Sequence, residues 1–203
     1  MGELILVRHG ETEWSATHRH TSYTDLPLTR HGEEQARSVA PLLAGRRIAR
    51  VLSSPLRRAL RTAELAGLPE PEPDPDLHEW DYGGYEGITT EDIHRERPRW
   101  DLWTDGVPPG PEGHPGERPE EVGARADRVL ARLAPLLDEG REGERSGDVV
   151  LVGHAHFLRV LTARRLGLPP AAGALFLLDT GTVSRLGLEH HRPVITAWNA
   201  GRP

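Results

Sequence analysis

Two distant segments of this chain have the same design, in which an apolar run leads into a histidine. Residues 4–7 read Leu-Ile-Leu-Val and are followed by Arg8 and His9, and residues 149–152 read Val-Val-Leu-Val and are followed, after one glycine, by His154. Short continuous apolar runs indicate strands buried on both faces of a parallel sheet. Ligands bind beyond the carboxyl ends of such strands. The pattern therefore predicts that both imidazoles lie at one binding site.

An arginine-rich segment supplies a third candidate group. Residues 53–64 read Ser-Ser-Pro-Leu-Arg-Arg-Ala-Leu-Arg-Thr-Ala-Glu, and on a helix Arg58 and Thr62 share one face. An arginine in the first turn after a strand can point back to the strand ends. Taken alone, Arg58 is typical of a solvated helix surface.

Imidazoles and arginines together suit a phosphoryl dianion, because they supply fixed donors for its equatorial oxygens. We expect two arginines and a protonated imidazole to neutralise the phosphoryl group without a metal ion. The histidine pairs of the sequence do not change this expectation, because no third ligand has the spacing of a metal motif. These pairs are His18 and His20, His154 and His156, and His190 and His191.

The composition excludes several classes of function. The 203 residues carry a net charge of −6, which is not typical of a nucleic-acid-binding protein. There is no cysteine, and all 25 basic residues are arginine, so thiolate chemistry and lysine Schiff bases are excluded.

No apolar segment approaches the ~20 residues that span a bilayer. Residues 1–3 lack the basic region of a signal peptide. We therefore expect a cytoplasmic protein that binds neither nucleic acid nor membranes. No motif encodes the oligomeric state, and a homodimer is left open.

The elements that position these residues alternate between strands and helices. This predicts one α/β domain over residues 1–203, a three-layer α/β/α sandwich with a mostly parallel central sheet. Between the first strand and Thr29 we expect a loop. The further predicted elements are helices over about 29–43, 54–66, 89–96, 120–137 and 154–166, an extended linker at 67–76, loops at 108–119 and 140–147, and strands at 51–53, 174–178, 182–188 and 194–198.

Four motifs in this order resemble the histidine phosphatase superfamily, which includes cofactor-dependent phosphoglycerate mutases and many phosphatases. They are residues 6–12 (Leu-Val-Arg-His-Gly-Glu-Thr), 53–63, 77–83 (Leu-His-Glu-Trp-Asp-Tyr-Gly) and 153–154 (Gly-His). The resemblance covers roughly residues 4–160. It implies a phosphoglycerate mutase-like fold.

The resemblance also implies roles for individual residues. His9 corresponds to the nucleophile that becomes phosphohistidine, and Arg8, Arg58 and His154 correspond to the phosphate pocket. Further implied substrate contacts are Ser15, Thr21, Ser22 and Ala155. Ser15 stands where the family often has Asn, and His18, Ser22 and Ala155 stand where it often has Gly. The departures at His18 and Ser22 affect the loop that carries Thr21 and Ser22.

Glu79 aligns with the general acid of the family. An aromatic, partly dry setting beside Trp80 and Tyr82 could keep a proton on this carboxyl near neutral pH. Asp81 and Glu86 are competing carboxylates for the same role.

Two further stretches favour a phosphatase over a mutase. Residues 100–106 (Trp-Asp-Leu-Trp-Thr-Asp-Gly) lack the arginine pair with which mutases grip the substrate carboxylate. Residues 79–90 are similar to actinobacterial broad-specificity acid phosphatases, and fungal sedoheptulose bisphosphatases share a related run. The resemblance thus implies hydrolysis of phosphomonoesters of small metabolites with no cofactor. A phosphoglycerate mutase, a sugar bisphosphatase of narrow specificity and a catalytically silent binding module stay open as alternatives.

Overall fold

The computed structural model describes residues 2–138 and 147–201. Within them the strands are β1 (Leu4–Arg8), β2 (Ile48–Ser53), β3 (Glu72–Pro73), β4 (Asp148–Gly153), β5 (Val183–Glu189) and β6 (Arg192–Ala200). The α-helices are α1 (Glu13–Ala16), α2 (Arg30–Leu43), α3 (Arg57–Leu65), α4 (Thr90–Glu96), α5 (Leu102–Asp105), α6 (Pro119–Asp138) and α7 (Ala155–Arg165). Short 3₁₀ helices cover Pro75–Leu77, Gly83–Tyr85 and Pro170–Leu175.

All these strands belong to one mixed sheet with the order β3-β2-β4-β1-β5-β6. Strands β3, β2, β4 and β1 run parallel, and β5 pairs antiparallel with both β1 and β6. In the β1–β4 pair, Arg8 lies opposite Gly153, and the His9 N–H donates to the Gly153 carbonyl at 3.0 Å. Consequently His9 and His154 leave neighbouring strands at the same edge of the sheet.

The two central strands are buried on both faces, as their apolar runs predict. Leu4, Leu6, Val149 and Leu151 belong to one core cluster, and Ile5, Val7, Val150 and Val152 belong to a second. Successive side chains of a strand point to opposite faces, so each run supplies both clusters. Helices α6 and α7 contribute to the first cluster, and α2 and α3 contribute to the second. The predicted three-layer α/β/α sandwich is confirmed.

The helices that the sequence predicts form close to their expected bounds. Thr29 and Thr89 begin α2 and α4, and each side-chain oxygen accepts a backbone N–H three residues later. The expected loop before Thr29 contains the one-turn helix α1, and the expected linker at 67–76 contributes the edge strand β3. The predicted loop at 140–147 lies outside the described residues except for its last residue.

The predicted strand at 174–178 is wrong. Residues 170–175 instead form a 3₁₀ helix that begins after Pro169, and Leu175 and Leu177 are 80% and 60% exposed. The run is apolar enough for a buried strand, but it follows a Pro-Pro pair and lies outside the sheet. None of the helices that the structure describes is long and apolar enough to cross a bilayer.

A buried threonine ties α3 to the segment that follows His9. The Thr62 hydroxyl donates to the Arg58 carbonyl at 2.7 Å and accepts the Gly10 N–H at 3.1 Å. Gly10 itself packs against α2, where an added Cβ would lie 2.1 Å from the Gly32 carbonyl oxygen. Only glycine fits there, and its backbone is therefore fixed on two sides.

We expect Thr62→Val to lower the free energy of unfolding by about 1–3 kcal/mol, because the Gly10 N–H is left buried without an acceptor. Thr162→Val is the matched control, since this buried hydroxyl donates only to the Leu158 carbonyl of its own helix. Urea unfolding of both variants measures the difference. Equal losses would show that the Gly10 contact contributes nothing.

Candidate active site

His9 lies at the end of β1 and lines a cavity of about 780 Å³. The ring is buried, and its Nδ1 lies 2.7 Å from the Gly10 carbonyl oxygen. A carbonyl only accepts, so Nδ1 carries the proton and donates it, which leaves the lone pair on Nε2. Burial, together with Arg58 and Arg8, holds the pKa of His9 well below its usual value. His9 is therefore a neutral imidazole with a free nucleophilic nitrogen.

His154 lies beside His9, with 5.0 Å between the two ring centroids. Its Nδ1 accepts from Nε of Arg58 at 3.3 Å, so its Nε2 carries the proton and donates to the Ser54 hydroxyl at 2.8 Å. Burial, Arg58 and His9 lower the pKa of His154 well below its usual value. The ring is therefore neutral, which differs from the protonated imidazole expected from the sequence. A phosphoryl dianion beside the ring would favour the protonated form by Coulomb attraction.

Arg58 is a fully buried cation behind the cavity and is not a solvated helix residue. Besides His154, its guanidinium donates to the backbone carbonyls of Thr24 at 3.0 Å, Ser22 at 2.9 Å and Thr21 at 3.3 Å. Burial lowers the pKa of Arg58. This side chain therefore links the 21–24 loop to His154.

Arg8 carries the clearest sign of an anion site. Its Nη1 donates to the Leu178 carbonyl at 2.6 Å, while its Nε is buried and has no hydrogen-bond partner. Burial lowers the pKa of Arg8, and Glu79 is the first of the groups that oppose this shift. A buried donor without a partner is costly. A phosphoryl oxygen bound beside His9 would supply the acceptor.

Glu79 is buried and held at the N-terminus of α7. Its carboxylate accepts from the backbone N–H groups of Trp80 at 2.9 Å, Phe157 at 2.8 Å and His156 at 3.1 Å. Polar backbone groups at the start of α7 therefore surround this carboxyl group, in addition to the aromatic residues that the sequence suggests.

The two competing carboxylates are engaged elsewhere. Asp81 accepts from the N–H groups of Gly83 and Gly116 at 2.9 and 3.2 Å. Glu86 accepts from the N–H and hydroxyl of Ser22 and from the N–H of Thr24. Glu79 lines the cavity, whereas Asp81 and Glu86 do not.

The further substrate contacts that the resemblance implies also differ in whether they line the cavity. Ser15, Thr21 and Ala155 line the cavity, and Ala155 is the first residue of α7, so its N–H has no acceptor within the helix. The Ser15 hydroxyl is engaged with Thr12 in the capping box of α1. Ser22 does not line the cavity, because its N–H and hydroxyl are bound by Glu86.

Three lining residues, Arg19, Arg159 and Asp179, were not singled out from the sequence. His18, Tyr82 and His156 also line the cavity, although the sequence analysis named them only as a histidine of a pair or as an aromatic neighbour of Glu79. Arg159 could have been found, because it follows Ala155 by four residues on the same predicted helix face. Asp179 follows the segment wrongly predicted as a strand and gave no signal. Among the described residues, no group of three or more His, Asp or Glu side chains could hold a metal ion.

The family model of the histidine phosphatase superfamily (branch 1) matches residues 4–201. The chain belongs to this superfamily. It is 41% identical over 189 residues to an acid phosphatase from Mycobacterium tuberculosis, covering 92% of this chain and 87% of that protein. It is 34% identical over 189 residues to sedoheptulose 1,7-bisphosphatase from Saccharomyces cerevisiae, covering 81% and 67% of the two chains.

The fold is also shared with a solved structure. The structure of an open reading frame product from Mycobacterium tuberculosis superposes with a TM-score of 0.86 at 38% identity, covering 98% of this chain and 97% of that one. The phosphoglycerate mutase-like fold expected from the motifs is confirmed by this match and by the family model.

The lowered pKa values of the site histidines predict that the folded protein becomes less stable in acid. The pKa values of His9, His154 and His156 lie well below the usual 6.5, because burial disfavours the imidazolium form. Below pH 6.5 the unfolded chain binds protons at these positions that the folded chain does not, so stability falls as the pH falls. Each histidine adds a slope of up to about 1.4 kcal/mol per pH unit.

Urea unfolding in phosphate-free buffer at about pH 7.5, 6.5 and 5.5 measures this slope. His156→Gln should reduce the slope of stability against pH by the contribution of one histidine, up to about 1.4 kcal/mol per pH unit. Stability that stays constant or rises towards about pH 5.5 would contradict the lowered pKa values.

Proposed function

We propose that this protein hydrolyses phosphomonoesters of small metabolites, such as sugar phosphates, through a phosphohistidine on His9. The observation that carries the proposal is the pair at the end of β1. There, His9 has its Nε2 lone pair free, and Arg8 has a buried Nε without a partner. The named activities of the relatives, an acid phosphatase and a sugar bisphosphatase, support the same class of reaction.

In the first proposed step, Nε2 of His9 attacks phosphorus in line with the leaving oxygen. The P–N bond forms, the P–O bond to the alcohol breaks, and Glu79 passes a proton to the leaving oxygen. In the second step, a water oxygen attacks phosphorus while Glu79 takes its proton. The P–N bond breaks, and inorganic phosphate and free His9 result.

The buried cations would stabilise the charge that develops during both steps. Arg8 supplies Nε–H to an equatorial oxygen, and His154 becomes protonated once a dianion lies beside it. Protonation of His154 places a proton on Nδ1, so this nitrogen would no longer accept from Arg58 Nε, and the Arg58 donor would become free for the phosphoryl group. All three groups already lie at or behind the cavity before substrate binds.

His9→Ala should abolish hydrolysis of p-nitrophenyl phosphate, because no other described group offers a free imidazole nitrogen beside Arg8. The wild type should acquire an acid-labile, alkali-stable phosphate label after rapid mixing with labelled substrate, and the variant should not. We would abandon the phosphohistidine mechanism if His9→Ala kept more than about a tenth of the activity, since loss of a nucleophile costs far more.

Glu79→Gln should lose on the order of 10²-fold or more in kcat with an alkyl phosphate, because an alkoxide leaves poorly without a proton. The loss in the phosphorylation step should be smaller with p-nitrophenyl phosphate, whose phenolate hardly needs a proton. The labelled intermediate should accumulate, since its hydrolysis has lost a base.

Asp81→Asn is the matched control for this carboxylate, because Asp81 binds backbone N–H groups outside the cavity. Rates with alkyl and nitrophenyl esters should fall in parallel in this variant, if they fall at all. Leaving-group dependence in Asp81→Asn and none in Glu79→Gln would transfer the proposed role to Asp81.

We further propose that residues 1–203 form a single domain and that the protein is cytoplasmic. The domain proposal is supported by the core clusters, in which Leu4 packs with Leu186 and Val7 with Val183 from the far end of the chain. Whether the chain forms a homodimer is a separate prediction that light scattering of the purified protein would decide.

A further inference from the structure

His20 and His156 both line the cavity and pack against Tyr82, yet the proposed reaction uses neither imidazole. The Tyr82 ring centroid lies 4.7 Å from that of His20 and 5.8 Å from that of His156, with edge-to-face geometry in both pairs. At about 780 Å³ the cavity has the size of a site for a whole small molecule, and one phosphoryl group occupies only a fraction of it. The two imidazoles are therefore available to the rest of the substrate.

His20 presents a hydrogen-bond acceptor. Its Nδ1 lies 2.7 Å from the Ile88 carbonyl oxygen, which only accepts, so Nδ1 carries the proton and donates it. Burial lowers the pKa of His20, so the ring is neutral near pH 7 and Nε2 keeps its lone pair. No described residue donates to this Nε2, which keeps accessible surface.

His156 presents a hydrogen-bond donor. Its Nδ1 lies 2.6 Å from the Tyr82 hydroxyl oxygen. Burial raises the pKa of Tyr82 well above its usual value, so the hydroxyl keeps its hydrogen and donates it to Nδ1, since none of the other described groups accepts it. Burial lowers the pKa of His156 well below its usual value, so the ring is neutral and its one proton is on Nε2. This N–H also keeps accessible surface and has no acceptor in the part of the chain that the structure describes.

An acceptor and a donor beside the same tyrosine suit a hydroxyl group. A carboxylate or phosphate oxygen only accepts, so its lone pairs would repel that of His20 Nε2. An ammonium group only donates, so it would repel the N–H of His156. A hydroxyl group donates and accepts, and it can therefore bind to both nitrogens.

We infer that the substrate carries hydroxyl groups on its alcohol portion, which donate to Nε2 of His20 and accept from Nε2 of His156. The inference rests on the proposed function and narrows its substrate class to phosphates of polyols and sugars. An alkyl phosphate would cover the two nitrogens without bonding to them, and polar groups covered in this way are costly. Sites built to bind a substrate hydroxyl group discriminate for this reason against analogues that lack it.

Substrate pairs with the same carbon chain test this inference in the full chain. Glycerol 3-phosphate is compared with propyl phosphate, and sorbitol 6-phosphate with hexyl phosphate, so the members of each pair differ in their hydroxyl groups. The wild type should have the higher kcat/KM for the hydroxylated member of at least one pair. A neighbouring hydroxyl group also makes the leaving alcohol more acidic, so the decisive measurement is how each variant changes the ratio within a pair.

His20→Phe removes the lone pair but keeps an aromatic ring against Tyr82, and the Ile88 carbonyl keeps the backbone N–H of residue 20 as a donor at 3.0 Å. This variant should lose about 3- to 10-fold more kcat/KM on the preferred hydroxylated substrate than on its alkyl partner, the effect of one neutral hydrogen bond. His156→Phe removes the donor and should show the same selective loss. The two variants are independent, so a folding defect in one leaves the other as the test.

His94→Phe is the matched control. The His94 imidazole also binds a backbone carbonyl, with its Nε2 at 2.8 Å from the Trp100 oxygen, but it does not line the cavity. This variant should leave the ratio within each pair unchanged. Equal losses of His20→Phe and His156→Phe on both members of each pair would overturn the inference and make the two histidines packing groups around Tyr82.

Two outcomes separate the inference from the proposed function. If the wild type hydrolysed neither these substrates nor p-nitrophenyl phosphate, the proposed function would fail, and the inference with it. If the wild type hydrolysed the alkyl phosphates as well as their hydroxylated partners, the inference alone would be overturned and the proposed hydrolysis would stand.

Discussion

The parallel pairing of β1 with β4 positions the histidines of the site. Both strands are apolar on both faces, so they occupy the centre of the sheet, where each side chain packs into one of two cores. Their register places Arg8 opposite Gly153, and the next residues along the two strands are His9 and His154. A slip of one residue would transfer every side chain of a strand to the opposite core. The hydrophobic pattern of the strands thus fixes the positions of the two imidazoles.

Buried and half-buried arginines in and behind the cavity give this edge of the sheet its positive charge. Arg8, Arg58 and Arg159 are bound by backbone carbonyls and an imidazole, with no carboxylate of the described residues in an ion pair. Burial of the two imidazoles, together with the nearby charges of Arg58 and Arg8, lowers the pKa values of His9 and His154 and keeps both rings neutral. Charge of this kind costs stability in the folded protein. A dianionic ligand would compensate this positive charge. Functional sites commonly lower the stability of the folded protein in this way.

Helix α7 organises the opposite wall of the site. His154 precedes its first turn, and the N–H groups of His156 and Phe157 hold the carboxylate of Glu79. One turn later, Arg159 points to the same cavity. A helix N-terminus combines free donors with a positive dipole end, which favours anionic groups nearby. One helix therefore begins beside His154, holds the carboxyl group of Glu79 and carries Arg159.

The sequence alone determined the three-layer fold, the central strands and the approach of His9 to His154, because periodicity and apolar runs are local signals that a buried parallel sheet requires. It also indicated Arg58 and Glu79, but only through motif resemblance, since neither position differs locally from a solvated charge.

The tertiary structure decided what surrounds each group. The tautomer of His154 depends on Ser54 and Arg58, the carboxylate of Glu79 on amides 77 and 78 residues away, and the engagement of Ser22 on Glu86. The 3₁₀ turn that contains Gly173 and accepts from Arg159 could not be predicted from the sequence either, because it also depends on contacts between distant segments. The apolar composition of residues 174–178 is typical of a strand, but long-range packing determines which segments join the sheet.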